Sequence, residues 1–311
     1  MSGRGVTICV PAYRAEGFLA ETLESVLAQD WPDVHVAITV DRSDDRTEAV
    51  ARDLVSGRSA TVVAQPRRLG WVKNSNAALG LARTPFAMLM PHDDLLAPSY
   101  VSACMAALAE QPGAILAYSD LDWADDPDEV LTERSEQGGV RERVINVFAR
   151  HFNAVAVRGV FSRQRAGRHL IPGFAIGDFA ADTLWVARMA AQGPIVRVPE
   201  ALYRKRRMKG SAHERWHGAS AADLEHMWVA HCIEMLRAVS TVHPRAAFDP
   251  DIREALRQRL RRDHVCFLGE PGLPAVLEND NGVSKALRVY AGMVARGHRY
   301  AWMTDQDQRH A

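Results

Sequence analysis

An α/β fold is what this sequence predicts: a mostly parallel sheet flanked by helices, followed by a helical C-terminal region. Three observations predict it. From residue 6 to about 120, short apolar, β-branched runs alternate with longer segments whose apolar residues recur at helical spacing. The runs are too apolar to be half-exposed, as strands buried on both faces require. The C-terminal third then carries helical patterns alone.

In order, the strand candidates of the first part are VTICVP (6–11), VHVAITV (34–40), ATVVAQ (60–65), FAMLM (86–90) and AILAYS (114–119). Segments near 16–29, 45–56, 71–82 and 98–111 carry the intervening helical spacing. This βαβα order implies helices on both faces of the sheet, with ligands beyond the carboxyl ends of the strands. Residues 122–143 are polar, acidic at first and rich in turn formers, and predict a long loop: a solvated connection or a lid over substrate. Strand candidates AVAVRG (154–159) and PIVRVP (194–199) then bracket a helix near 178–192. Helices are expected at ADLEHMWVAHCIEMLRAV (222–239), IREALRQRLRRDHVCFL (252–268) and KALRVYAGMVARG (285–297). Arg253, Arg257, Arg259, Arg261 and Arg262 give the second a basic face, read as a solvated or subunit-facing surface, with an anionic membrane surface as the second reading. There is no internal repeat.

Composition excludes several classes. The 311 residues and 47% hydrophobic content support a substantial core. Lys+Arg 38 against Asp+Glu 38 leaves net charge zero, so no overall pull toward nucleic acid or acidic lipid arises. The four cysteines, Cys9, Cys104, Cys232 and Cys266, have neither C-x-x-C nor zinc spacing, and a reduced, cytoplasmic protein is expected. MSGRGVTICVPAY holds too short an apolar stretch for a signal peptide, and no 18 apolar residues run uninterrupted. Peripheral membrane contact stays open.

The chemistry concentrates where the FAMLM run ends in Asp93 and Asp94. Two carboxylates about 5 Å apart repel by roughly 3 kcal/mol at an effective dielectric near 20. In a cleft they call for a cation, a shared proton or water. After the first strand the chain reads PAYRAEG, without the G-x-G-x-x-G of a dinucleotide-binding domain. The glycine-rich phosphate loop of a nucleotidyltransferase and the G-x-x-x-x-G-K-S/T of a P-loop enzyme are missing too. A divalent metal held by Asp93 and Asp94 is then the natural handle for a diphosphate, since Mg²⁺ or Mn²⁺ takes one or two carboxylates and fills its other sites with phosphate oxygens and water.

VTICVPAYRAEGFLAETLESVLAQDWPDVHVAITVDRSDDRT resembles the opening of a family 2 glycosyltransferase with the GT-A (Rossmann-like) fold. The matching positions are Pro11, Tyr13, Leu19, Leu23, Ser25, Val26, Leu27, Gln29, Asp41, Ser43, Asp45 and Thr47. RRLGWVKNSNAALGLARTPFAMLMPHDDLLAPSYV resembles the family's G-x-x-x-N-x-N helix and its D-x-D element, here an HDD variant. AADTLWVARMAAQGPIVRVPEALYRKR resembles the family's E-D-x-x-L/W-x-x-R-x-x-x-x-G segment and the strand after it. The four motifs stand in the family's order over about residues 6–213.

The resemblance implies inverting transfer from a nucleoside-diphosphate sugar to an acceptor hydroxyl of a glycan, polysaccharide or lipid-linked sugar, with Mn²⁺ or Mg²⁺ as cofactor. Pro11, Ala12 and Tyr13 would line the nucleoside pocket, and Asp41 would accept a hydrogen bond from the base. Asp93 would contact the ribose or the metal, Asp94 the metal, and Arg67, Arg68 or Lys73 the phosphates. Asp182 matches the catalytic aspartate, with Asp178 as a fallback base. His213 falls where some members supply a metal ligand, and His217 ranks below it. The implied organisation is a nucleotide-sugar-binding half (1–120), an acceptor half with the catalytic base (121–213) and a helical region (214–311) suited to homodimer or membrane contacts.

Other positions have plainer readings. Asn74 and Asn76 either satisfy backbone groups or touch ligand; Trp123, Trp185 and Trp216 either fill core or stack on a sugar ring. Three departures from the family pattern matter: Arg42 in place of a second aspartate, Pro91 in place of the first Asp of D-x-D, and Ala181 in place of glutamate. They motivate the alternative of a nucleotide-sugar-binding partner or scaffold with weakened catalysis.

Overall fold

The computed structural model describes residues 3–150, 153–173, 178–208 and 220–268. In chain order the elements are β1 (Val6–Ala12), α1 (Leu19–Leu27), β2 (Val34–Val40), α2 (Thr47–Leu54), β3 (Ala60–Ala64), α3 (Trp71–Leu81), β4 (Phe86–Leu89), β5 (Leu95–Leu96), α4 (Tyr100–Glu110) and β6 (Leu116–Trp123). They continue with α5 (Val140–Arg150), β7 (Val160–Ser162), α6 (Arg163–Ala166), α7 (Ala181–Gln192), β8 (Ile195–Lys205), α8 (Ala221–Ser240) and α9 (Pro250–Leu268). Contacts divide the chain into two units, one of Met1–Gly138, Phe152–Ile171 and Gln192–Arg207, the other of Gly139–His151, Pro172–Ala191 and Met208–Ala311.

All eight strands belong to the first unit, in the order β3-β2-β1-β4-β7-β6-β8-β5. The expected parallel core is there: β1 pairs β2 and β4, and β2 pairs β3, all in parallel. Its central strand fully buries Val6, Ile8, Cys9 and Val10, together with Thr7, whose hydroxyl meets that of Thr84 at 2.6 Å. Helix α1 places Leu19, Leu23 and Val26 on one buried face, each contributing roughly 1.5–3 kcal/mol by leaving water. The second half of the sheet is mixed rather than parallel, because β7 runs antiparallel to β4 and β6 while β8 runs parallel to β6 and antiparallel to β5.

Two expectations are corrected here. AVAVRG is not a strand; Val155–Arg158 form one 3₁₀ turn after Ala154, whose φ of 50° reverses the chain, and the strand follows at Val160–Ser162. The long loop expected over 122–143 is narrower: it spans 124–139, between the end of β6 at Trp123 and the start of α5 at Val140, and it is tied down at two points. Asp120 and Asp122 lie in β6 and pair with Arg197 and Arg204 of β8, Leu131 bridges back to Leu121, and Glu136 bridges to Ile195. Asp122, at the start of that stretch, is thus half of a cross-strand ion pair rather than loop.

In the second unit, α5 buries Val144, Val147 and Phe148, and α9 lies against both α5 and α8. The single basic face expected of α9 does not form. Arg259 is 1% exposed and directs Nη1 to the Phe148 carbonyl at 3.4 Å. At 100° per residue it lies about 240° around the helix from Arg253, so Arg253 and Arg257 share a side that Arg259 leaves. The expected helix at 285–297 lies outside the described residues.

Candidate active site

Parallel pairing of β1, β2 and β4 brings their carboxyl ends to one edge, so residues following Ala12, Val40 and Leu89 meet there. Local hydrogen bonds shape that edge. Arg14 has a φ of 46°, a left-handed conformation that a side chain adopts only when neighbours hold it. Its N–H donates to Ser43 Oγ (3.0 Å) and its guanidinium grips Asp44 through Nε and Nη2 (2.9 and 2.8 Å). The Ala15 N–H donates to Thr47 Oγ1 (2.7 Å), and Asp45 Oδ1 accepts from the Thr47 N–H (3.1 Å). Ser43, Asp45 and Thr47 therefore lock the turn that presents Tyr13.

Tyr13 is half-buried, and the Arg68 guanidinium lies over its ring 3.4 Å from the centroid. Asp41 is 2% exposed. Its Oδ1 accepts from the N–H groups of Arg42 (3.1 Å) and Leu69 (2.7 Å), its Oδ2 from Gly70 (2.9 Å), and Arg68 Nε stands 3.8 Å away. Three backbone donors leave little acceptor capacity on this carboxylate, which fixes the loop entering α3. Arg42 is exposed and reaches the Pro66 carbonyl at 3.4 Å. Asn74 donates to the Ala12 and Thr39 carbonyls (3.3 and 3.2 Å), and Asn76 exchanges two hydrogen bonds with Ile171 (2.9 and 2.7 Å). Both amides satisfy backbone. Lys73, in the first turn of α3, and Arg67, in the preceding loop, are exposed.

The paired carboxylates differ sharply. Asp94 is 2% exposed; its Oδ2 accepts from the Tyr203 hydroxyl (2.6 Å) and its Oδ1 from the Arg206 N–H (3.0 Å), with Arg158 Nε 3.8 Å away. Burial pushes its pKa above the ordinary carboxylate range, the neighbouring Asp93 charge adds to that, and Arg158, Tyr203 and the Arg206 amide oppose it. Asp93 is half-buried, and its carboxylate makes no hydrogen bond or ion pair among the described residues; only its carbonyl is held, by Arg206 Nη1 at 2.8 Å. His92 donates Nδ1–H to the Pro11 carbonyl (3.1 Å), tying the tips of β4 and β1. The chain just beyond is clamped by α1, where Ser25 Oγ accepts from the Leu96 N–H (3.2 Å) and Gln29 bonds Ala97 and Val101 (2.9 and 3.0 Å). That explains why serine and glutamine stand in the L-x-S-x-L-x-Q stretch.

Arg158, Tyr203 and Arg206, the three partners of this pair, were not singled out from sequence. Tyr203 and Arg206 stand in the quoted LYRKR run, but nothing in that run says what they face. Among the described residues no three His, Cys, Asp or Glu side chains come together as a metal cluster. The donor set still suits a hard cation that keeps most of its ligands outside the protein, because the Asp93 carboxylate has no partner among the described residues and stands next to the buried Asp94.

Asp182 belongs to the second unit, in the first turn of α7, half-buried, with Oδ1 accepting from the Thr183 N–H at 2.9 Å. Asp178 is half-buried too, and its carbonyl accepts from the Ala181 N–H at 3.4 Å. Trp185 is 1% exposed and is core, not a sugar platform. The Lys205 ammonium and the Arg207 guanidinium lie 4.9 and 4.2 Å from the centroid of the Trp123 ring. His213, His217 and Trp216 lie outside the described residues.

Comparison with known proteins matches residues 7–179 to the family model "Glycosyl transferase family 2". The succinoglycan biosynthesis protein ExoO of Rhizobium meliloti is 31% identical over 117 residues, 38% of this chain and 33% of that protein. The chondroitin synthase of Pasteurella multocida is 29% identical over 100 residues, 32% of this chain and 10% of that protein. The matched stretches thus span a third or less of these relatives. Among solved structures, S. aureus TarS 1–349 superposes with a TM-score of 0.64 at 16% identity, covering 94% of this chain and 80% of that one. Mannosyltransferase PcManGT from Pyrobaculum calidifontis, solved with GDP-Man and Mn²⁺, gives 0.53 at 18% identity, covering 94% and 83%. With its GT-A sheet and a family match across more than half its length, the chain belongs to glycosyl transferase family 2.

Proposed function

We propose that the protein transfers a glycosyl group from a nucleoside-diphosphate sugar to an acceptor hydroxyl of a glycan or glycolipid, with inversion. The observation that carries this reading is the Asp93–Asp94 pair at the tip of β4, with the Asp93 carboxylate unpaired among the described residues, on the same sheet edge as Tyr13 and Asp41. A nucleotide-sugar donor is supported by the TarS structures with UDP-GlcNAc and UDP and by the PcManGT complex with GDP-Man.

In this reading Pro11, Ala12 and Tyr13 receive the nucleoside, with Asp41 setting the shape of the pocket wall and offering its remaining acceptor capacity to the base. Arg68 and Lys73 face the diphosphate charge. Asp93 and Asp94 would hold Mn²⁺ or Mg²⁺, which when bound would supply positive charge against the diphosphate. Asp182 accepts the acceptor hydroxyl's proton. The acceptor oxygen then bonds to the anomeric carbon from the face opposite the diphosphate, and the breaking bond's electron pair leaves with the nucleoside diphosphate.

Incubation with Mn²⁺ and a panel of UDP-, GDP- and dTDP-sugars tests the assignment through release of nucleoside diphosphate. One donor should be turned over, and Asp94→Asn and Asp182→Asn should each lower kcat by at least about 100-fold, the scale of losing a positioned charge or base. Tight donor binding without turnover, with a glycan acceptor supplied, would leave a binding or scaffold protein instead.

A further inference from the structure

The turn leading to Asp182 is held by a buried polar chain inside the second unit. Ala180, two residues earlier, has a φ of 47°, which costs a non-glycine residue about 1–2 kcal/mol. Its carbonyl accepts from both the Thr183 hydroxyl (2.8 Å) and the Thr183 N–H (3.1 Å). The same N–H also serves Asp182 Oδ1. Thr183 Oγ1 lies 3.0 Å from Nε2 of His231, a residue of α8 with no solvent exposure.

One proton decides the direction of that contact. The threonine hydroxyl has a single hydrogen, and a carbonyl can only accept. With the hydroxyl hydrogen on Ala180 O the Thr183 oxygen accepts from Nε2–H of His231, and with that hydrogen on Nε2 the ring carries its own on Nδ1; in either tautomer one hydrogen bond joins the ring to the hydroxyl. The ring stands edge-on to Phe179 (centroids 6.0 Å apart, 88° between planes) and to Trp228 (5.4 Å, 87°), while Phe179 and Trp228 meet at 4.6 Å and 80°. Helix α8 thus fixes Phe179 through two rings and Thr183 through one directed hydrogen bond. A leucine or phenylalanine would fill the space beside Phe179 and Trp228 without the desolvation penalty of an imidazole. What the polar ring adds to those edge contacts is its bond to the turn.

We infer that His231 and Thr183 are positioning residues for Asp182: they clamp the turn from Asp178 to Thr183 and thereby aim the Asp182 carboxylate. This rests on the reading of Asp182 as the base. Neither residue touches substrate; both act through the backbone that carries the aspartate. A misplacement of about 1 Å in a reacting group can lower a rate on the order of 100-fold.

The test uses the full chain, Mn²⁺ and the nucleotide sugar selected by the donor panel, following kcat and donor KM by nucleoside diphosphate release. Thr183→Val and His231→Asn, which lack the hydroxyl or the reach, should lower kcat by at least about tenfold with donor KM within about twofold. Thr183→Ser and His231→Gln, which retain them, should recover kcat to within about threefold of wild type. The Thr183→Val/His231→Asn double variant should be no slower than the worse single, since both remove one hydrogen bond. If Asp182→Asn is inactive while folded Thr183→Val and His231→Asn keep wild-type kcat, the clamp is refuted and the base assignment survives. If Asp182→Asn keeps full activity, or no donor is turned over, the base assignment falls and the clamp with it. Should Thr183→Val fail to fold, the Asn and Gln variants at 231 decide alone: equal kcat in the two overturns the clamp.

Discussion

Asp94 shows how a single carboxylate is made costly and kept. Its burial raises the energy of the charged form, and the Tyr203 hydroxyl, the Arg206 amide and the Arg158 guanidinium offset that without removing it. Tyr203→Phe deletes one of those three while preserving the edge contact with Tyr100 at 6.0 Å. A buried acceptor that loses its donor costs about 1–3 kcal/mol. Urea denaturation of Tyr203→Phe should therefore show that loss at unchanged m-value, and a loss below about 0.3 kcal/mol would mean that the hydroxyl bond contributes little. The two aspartates themselves were legible, since an apolar run that ends in adjacent carboxylates is a strand-tip signal. Their partners were not. Tyr203 and Arg206 are 109 and 112 residues from Asp94 in sequence, and only the order of strands puts them beside it. Asn74 and Asn76 were ambiguous for a related reason: an amide that serves backbone reads the same as one that serves ligand.

At the level of elements, the parallel half of the sheet was readable because each strand is a continuous apolar run and each helix follows at helical spacing. The half around β7 was not. Val160–Ser162 is too short for any periodicity to register, and Asp122, near the end of β6, reads as loop until Arg204 is placed opposite. Helix α5 was missed although Val144, Val147 and Phe148 carry the right spacing, because its first turn is charged and follows turn formers. The tight join into β7 makes a sharp prediction. At Gly159 a Cβ would meet the Ala117 carbonyl at 2.6 Å and Leu116 Cδ2 at 2.8 Å, while its φ of −72° is ordinary. Gly159→Ala should thus destabilise by about 1–3 kcal/mol through overpacking alone. Gly80, in α3, has nothing within 4 Å of its virtual Cβ. Gly80→Ala should stabilise by roughly 0.5–1 kcal/mol through helix propensity. Opposite signs in urea midpoints are the expected outcome; a neutral Gly159→Ala would show that β6 and β7 approach less closely than this.

Over the whole molecule, formal charges cancel, so the pH dependence of stability near neutrality falls to the few groups whose titration folding changes. His231 is one. Burial, followed by the nearby Arg259 charge, holds its imidazole neutral well below the usual range, against a smaller opposing bond at the Phe179 backbone. The sign follows from proton counting. Below about 6.5 the unfolded chain binds a proton at this histidine that the folded chain refuses, so stability falls as pH falls through that window, with a limiting slope of about 1.4 kcal/mol per unit. Above about 6.5 both states are neutral there and the contribution is flat. His231→Gln keeps a donor toward Thr183 but cannot titrate. Urea denaturation from about pH 7.5 down to about 5.5 should therefore show a shallower decline in His231→Gln than in wild type. Taking the difference between the two curves cancels every other ionisable group that the substitution leaves in place. Parallel curves would mean that the folded chain admits the proton at His231, and an imidazolium beside Arg259 would then require water or a carboxylate within the pocket.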